Sequence, residues 1–557
     1  MHTDHIQNQR WERGISVANT VDLEKTYAQG TSQREFARQR DIPRTTLQYW
    51  LSRKQGLDAS PALVDFFESS EGLAFLHRLV IALQFVMCFL CGCGVRPVAK
   101  VLELAGLGVF VANSFGSRQK LGAAMEEELR NYALKERERL ASQMAAKRIS
   151  LCEDETFHPE ICLVAIEPVS NFILLEAYAE GRDAATWTAA LKAALRELPV
   201  EVVQSTSDEG KGLLAHVRQG LGAHHSPDIF HVQQELSRAT SIALAGRVKQ
   251  AEKTLTKAVA NTEAECAAQQ AWAENKHGPG RPPNFEGRIG EARESQQQAE
   301  QELEAARQRQ ERARQAIRGI GRAYHPVDLD TGALRTAEQV TTDLERCFTD
   351  ITEVATEAAL SERCDKGIRK AYRVVPEMTC TMGFFHSEVA AQIESLDLTP
   401  EQARAVYQGL IPAAYLENAA RKAKQADDRG PLRELAAELR SDSEAGLTNL
   451  DQGSLMTVNR VAQECADRFQ RSSSCVEGRN GHLSLLHHSL HSLRASRLEA
   501  LTAVHNFFIQ RPDGTTAADR FFGAKPADLF EWLLDHLDMP ARPARKRPSQ
   551  SAPTVLN

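Results

Sequence analysis

The chain has 557 residues, room for three or four domains, and its 42% hydrophobic and 25% charged residues exclude a fibrous or wholly disordered protein. A net charge of −7 excludes a uniformly basic nucleic-acid binder, so DNA contact has to come from local patches, and eleven scattered cysteines fit reduced thiols rather than a disulfide framework. The start MHTDHIQNQRWERG lacks a signal-peptide pattern, and the longest apolar run, Leu79 to Leu90, reads as a buried helix too short to span a bilayer. A cytoplasmic, nucleoid-associated protein is expected.

Residues 1–60 hold the first basic patch, Thr31 to Lys54. Ser32 and Glu35 have the spacing of a capping box, and Pro43 opens a second helix whose Leu47, Trp50 and Leu51 recur at helical intervals. This is a helix-turn-helix pattern. Its second helix presents Arg44, Thr45, Gln48 and Arg53, side chains able to bond phosphates and base edges in a major groove. Residues 61–147 stay helical, with a possible second helix-turn-helix over 94–121 and the cluster Cys88, Cys91, Cys93 read as core packing.

Helical periodicity stops at Arg148. Segments 148–156, 161–167 and 172–178 are short, rich in Ile, Val, Leu and Phe, and separated by the turns His158-Pro159 and Ser170-Asn171, which predicts a three-stranded meander. Alternation places Asp154 on one face with Cys152 and Ser150, and Glu153 and Glu155 on the other. An amphipathic helix (183–198) follows, then a strand ending at Asp208, a short helix, and the apolar segment PDIFHV (227–232), read as a fifth strand. Three antiparallel strands followed by two parallel additions form the ribonuclease H-like mixed sheet, expected here over 148–236.

Residues 237–470 carry no strand signal and predict an all-helical insertion. Ile289, Ala292, Gln296, Ala299, Leu303, Ala306, Gln310, Ala313 and Ile317 alternate three and four apart, and Val248, Ala251, Leu255, Ala258 and Thr262 begin a matching seam. A coiled-coil hairpin over about 240–320 is the economical reading, with the turn KHGPGRPPNFEG at its tip. Residues 471–539 resume with a helix bearing Glu477 in its first turn and Asn480 on the same face; Ser474 and Glu477 also have capping-box spacing. The basic tail 540–557, with Arg542, Arg545, Lys546 and Arg547, is expected to be disordered.

Asp154 and Asp208 end the first and fourth strands, which neighbour each other in such a sheet, and a helix alongside can add Glu477. Three clustered carboxylates repel one another unless a cation joins them, and hard oxygen donors select Mg²⁺ or Mn²⁺. Two such ions suit in-line attack on a phosphodiester. Glu155 is the alternative first ligand, and Asp208 and Glu477 each have a capping role as the plain alternative.

The blocks CEDET with LVAIEPVSNFILLEAY, TSDEGKG with PDIFHV, and SSCVEGRNG resemble those of a bacterial insertion-sequence transposase of the DDE type, and HNF with RPDGTTAADRFFG resembles the segment that closes such enzymes. The resemblance covers residues 148–236 and 472–523. It implies Asp154, Asp208 and Glu477 as catalytic metal ligands, Arg479 and Asn480 at the scissile phosphate, double-stranded DNA as partner, and a homo-oligomer of at least two subunits. The long stretch between Asp208 and Glu477 departs from the compact pattern and resembles the helical insertion of hAT-type transposases; the net acidity departs from it as well. A DNA-binding scaffold without catalysis and a stand-alone nuclease on the same fold are the alternatives.

Overall fold

The computed structural model describes residues 3–539 and 541–543, except 158, 159, 277, 279 and 424. The His158-Pro159 turn, Pro279 at the hairpin tip, and Arg545, Lys546 and Arg547 of the tail lie outside the described residues. The described chain is mainly helical around one five-stranded mixed sheet of order β3-β2-β1-β4-β5.

Strands β1 (Lys147–Phe157), β2 (Ile161–Glu167) and β3 (Phe172–Ala179) form the antiparallel meander, and β4 (Val200–Ser207) and β5 (His224–Pro227) add in parallel beyond β1. The turn into β3 is made by Glu167, whose carboxylate accepts the N–H groups of Val169 (3.0 Å) and Ser170 (2.8 Å), with Asn171 at φ 65°. Such a left-handed position suits Asn, whose short side chain tolerates it. β2 is buried from Cys162 to Glu167, because helices cover both sheet faces and the strand needs no solvent-facing row. At the outer edge, the side-chain amide of Asn506 bonds both backbone groups of Ile173, at 2.9 Å each, and so occupies part of the open edge of β3.

One face is covered by helix Ala184–Leu195, started by Asp183, which accepts the N–H groups of Ala185 and Thr186; its Trp187 and Leu191 are fully buried. Helices Ser474–Leu490 and Ala495–Phe507 share the same core through Val476, Leu483, Leu498 and Val504. Helix Phe115–Ala141, part of the segment read as a possible second helix-turn-helix, is built into this core by Met125, Leu129 and Leu140. The apolar run before it extends further than its sequence shows: Ser70–Leu90 is one 21-residue helical stretch, long and apolar enough by composition to cross a membrane, and half buried in the fold.

The predicted fifth strand over 227–232 is corrected. β5 ends at Pro227, and Asp228 caps a helix that runs Ile229–Glu274, its carboxylate accepting the Phe230 N–H at 2.8 Å. The apolar tetrad Ile229 to Val232 fits either structure by composition, and the aspartate before it decides for helix. That helix pairs with Phe285–Ala323 as the expected hairpin: Ile289, Ala292, Ala299, Leu303, Ala306, Ala313 and Ile317 are buried, and Thr262 reaches the Ala292 carbonyl at 3.3 Å. The remaining helices of the insertion share a second core with Val340, Leu344, Met378, Phe385 and Leu416. The insertion enters and leaves the sheet at one point, where the Ile229 N–H bonds the Arg471 carbonyl at 3.0 Å.

The N-terminal helices Thr3–Tyr27, Gln33–Gln39 and Arg44–Gln55 close on Leu23, Phe36, Ala37, Leu47 and Trp50. Ser32 caps the second helix through the Glu35 N–H (3.3 Å), and Asp41 takes φ 52° in the turn before the third.

Candidate active site

Parallel pairing of β1 with β4 puts Glu153 opposite Ser207, so Asp208, one residue past β4, comes alongside Asp154 and Glu155 at the carboxyl end of β1. One oxygen from each of Asp154, Glu155 and Asp208 lies within 4.8 Å of the others. Asp208 is fixed by its own turn, its Oδ1 accepting the Gly210 N–H at 2.9 Å. A Cβ at Gly210 would meet that oxygen at 2.9 Å, and one at Gly212 would meet the Arg182 carbonyl at 2.3 Å. Gly212 is therefore required by close approach to backbone, while a side chain at Gly210 would displace the Asp208 carboxylate.

The strand alternation is as expected. Glu155 accepts the Trp187 indole N–H at 3.2 Å on the face covered by helix Ala184–Leu195, while Asp154 turns to helix Ser474–Leu490, where Asn480 Nδ2 donates to its Oδ2 at 2.9 Å. The Asp154 Oδ1 accepts the Glu155 N–H at 2.8 Å. Although they face opposite sides of β1, the two carboxylates still reach one place, an oxygen of each lying within 4.8 Å of the other and of Asp208.

Burial drives the Asp154 carboxyl up to about 7; the charge of Glu477 adds to the effect, as do Asp208 and Glu155, and the Glu155 N–H opposes it. Burial also raises Glu155, with Asp208 and Glu153 adding repulsion and the Trp187 and Arg182 side chains opposing it. Burial is the larger cause for both groups, and the repulsion among the carboxylates adds to it, with Arg182 offsetting part of the effect at Glu155. Such a group of hard oxygens either holds a proton or holds a cation.

Glu477 sits in the first turn of its helix, 37% exposed, with its Oε1 3.6 Å from His231 Nε2. The capping box predicted from Ser474 does not form. Ser473 is the residue before the helix, and its hydroxyl donates to the buried Asp228 instead, leaving Glu477 free of a capping role. Arg479 is likewise corrected: it is buried, and its Nε and Nη2 bond both oxygens of Glu176 in β3 at 2.7 and 2.6 Å, so it anchors the helix to the sheet instead of facing a phosphate. Thr502 donates to the same carboxylate. Asn480, also expected at a phosphate, has its amide nitrogen committed to Asp154.

Two groups near the cluster went unread in the sequence. Glu153 is fully buried, accepts the Ser205 hydroxyl, and lies 3.2 Å from His216 Nε2; His216 Nδ1 is 2.9 Å from the Thr188 hydroxyl. The signal for it was present, since alternation turned Glu153 towards the covered face, where a carboxylate needs a partner. Asp228 is the other, joining the end of β5 to both the Ile229–Glu274 helix and Ser473.

In the N-terminal unit Arg44, Thr45 and Gln48 are exposed on one helix. Arg53 is partly covered, donating to the Tyr49 hydroxyl and the Pro543 carbonyl at 2.8 Å each, and Arg542 of the tail bonds Ser16 and Glu68. The pattern expected to read DNA is thus presented by three side chains, with the fourth tied to the C-terminal segment.

A family described as one of unknown function (DUF6399) matches residues 406–549, a segment that includes the Glu477 helix and excludes the sheet. No curated protein matches the chain.

Proposed function

We propose that this protein is a metal-dependent DNA strand-cleaving and strand-joining enzyme of the DDE transposase kind. The observation that carries the reading is the convergence of Asp154, Glu155 and Asp208 within 4.8 Å at the ends of adjacent parallel strands, with the Glu477 helix bonded onto Asp154. The strand order β3-β2-β1-β4-β5, with helices on both faces and a helical insertion before the last carboxylate, supports a ribonuclease H-like catalytic unit. The exposed Arg44, Thr45 and Gln48 support a DNA-reading helix-turn-helix ahead of it.

The donor set fits Mg²⁺ or Mn²⁺: the clustered groups are all carboxylates, and a bound cation would offset both the burial and the repulsion that raise Asp154. Asp154, Glu155 and Asp208 would hold it, with Glu477 on the neighbouring helix as the further proposed ligand. Bound there, a divalent ion supplies Lewis acidity and an attacking oxygen at neutral pH. The chain's own residues do the positioning. Gly210 fixes Asp208, Trp187 fixes Glu155, and Arg479 on Glu176 fixes the helix that carries Glu477. Synapsis of two DNA ends requires at least two copies of the chain.

The test uses labelled duplexes drawn from the DNA flanking the gene, incubated with purified protein and Mg²⁺. Nicking followed by joining of the freed 3′ end is expected, and Asp208→Asn is expected to abolish both. Nicking without joining would favour a stand-alone nuclease, and full activity in Asp208→Asn would refute the assignment.

A further inference from the structure

Two of the polar contacts between the sheet and the helix that bears Glu477 do different work. Arg479 clamps it to Glu176 in β3 through a buried, bidentate pair. Asn480, the next residue and about 100° further round the helix, reaches β1 and donates to Asp154 Oδ2 at 2.9 Å. Glu477 stands one turn before Asn480 on the same helix face, so the bond from Asn480 to Asp154 also fixes the helix end that carries Glu477.

Three features separate this contact from ordinary packing. With the Glu155 N–H on Oδ1 and Asn480 on Oδ2, each oxygen of Asp154 has one donor and keeps capacity for another partner. The donor is a neutral amide, which orients a carboxylate without supplying the positive charge that would compete with a cation. The other end of the amide is left unsatisfied, since Asn480 Oδ1 is buried with no partner. Turning the amide over would face that oxygen towards the carboxylate, so the ionised form of Asp154 determines the orientation.

We infer that Asn480 is a positioning residue for the cation site: its amide holds Asp154 in the orientation that lets Asp154 bind one metal ion together with Asp208 and Glu155, and it makes no contact with DNA. The inference rests on reading the carboxylate cluster as a metal site. It assigns Asn480 a partner within the protein and removes it from the phosphate-binding set.

Binding of Mn²⁺ to the full-length chain, read from the electron paramagnetic resonance signal of free Mn²⁺, tests it against three variants. Asn480→Ala and Asn480→Leu both remove the donor, the second at near-constant volume, and each is expected to weaken Mn²⁺ binding about 10- to 100-fold, the effect typical of a ligand-orienting partner. Asn480→Gln keeps an amide and is expected to recover part of the loss. The affinity of all three for duplex DNA without metal is expected to stay at the wild-type value, and their circular dichroism is expected to show the wild-type fold. Unchanged Mn²⁺ affinity in both donorless variants would overturn the inference, as would lost DNA affinity with Mn²⁺ binding intact. Asp208→Asn separates the two levels: if wild type binds Mn²⁺ no better than Asp208→Asn, the metal reading itself falls and takes this assignment with it.

Discussion

The raised carboxyl of Asp154 makes the metal-free protein less stable as pH rises, and the size of the effect follows from the structure. In the unfolded chain this group titrates near its ordinary 3.8, and in the fold near 7. Below both values the two states carry the same proton and no penalty exists. Between them the unfolded chain has lost its proton while the folded chain keeps it, so stability falls by about 1.4 kcal/mol per pH unit. Over roughly three units the full penalty is about 4 kcal/mol, reached above pH 7. Asp154→Asn removes the titration but sets its own NH₂ against the NH₂ of Asn480, a loss of about 1 kcal/mol. The variant should therefore be more stable than wild type by about 3 kcal/mol at pH 8 in EDTA, and equal or slightly less stable at pH 4. Urea and thermal midpoints from pH 4 to 9 check this. Mn²⁺ at pH 8 should raise the wild-type midpoint and leave the variant almost unmoved. Identical pH profiles for the two proteins would refute the electrostatic account of the cluster.

Two further outcomes are expected. Arg479→Met leaves the buried Glu176 carboxylate without its cation, which should cost about 3–5 kcal/mol in urea unfolding, and adding Glu176→Gln should return most of it; a double variant as unstable as the sum of the singles would show that the pair is not a coupled anchor. Arg44→Ala and Gln48→Ala lie on an exposed face and should leave the fold within about 0.5 kcal/mol of wild type. Each should weaken duplex binding, and the Arg44 variant should lower the salt dependence by about one counterion; unchanged DNA affinity in both would remove the helix-turn-helix from the binding surface.

What could be read from the residues was local. The meander was legible because its strands are β-branched runs closed by turn residues, and the two faces of β1 followed from a period of two. The hairpin was legible because its apolar seam is long and regular. The errors came where a distant partner decided the outcome. Ser474 looked like the head of a capping box, but the hydroxyl that matters is that of Ser473, claimed by Asp228 from across the sheet. Arg479 looked available for phosphate, and only the fold shows Glu176 waiting for it in β3. Alternation put Glu155 and Asp154 on opposite faces of β1, as observed, and did not show that an oxygen of each comes within 4.8 Å of the other and of Asp208. At Ile229 the misreading was chemical, since Ile, Phe and Val suit a strand as well as a buried helix face.

The hydrogen bond from Ile229 to Arg471 means that the helical insertion leaves and rejoins the sheet at one seam. Synthesis runs through that seam only once, from the amino end. β1 and β4, with Asp154 and Asp208, emerge from the ribosome first, and the whole insertion must follow before the Glu477 helix can close on them. At ordinary elongation rates this interval is on the order of tens of seconds. During it the nascent chain carries Asp154, Glu155 and Asp208 without the helix whose Asn480 bonds onto Asp154, so the surroundings of this group are completed only when the last helices have been made.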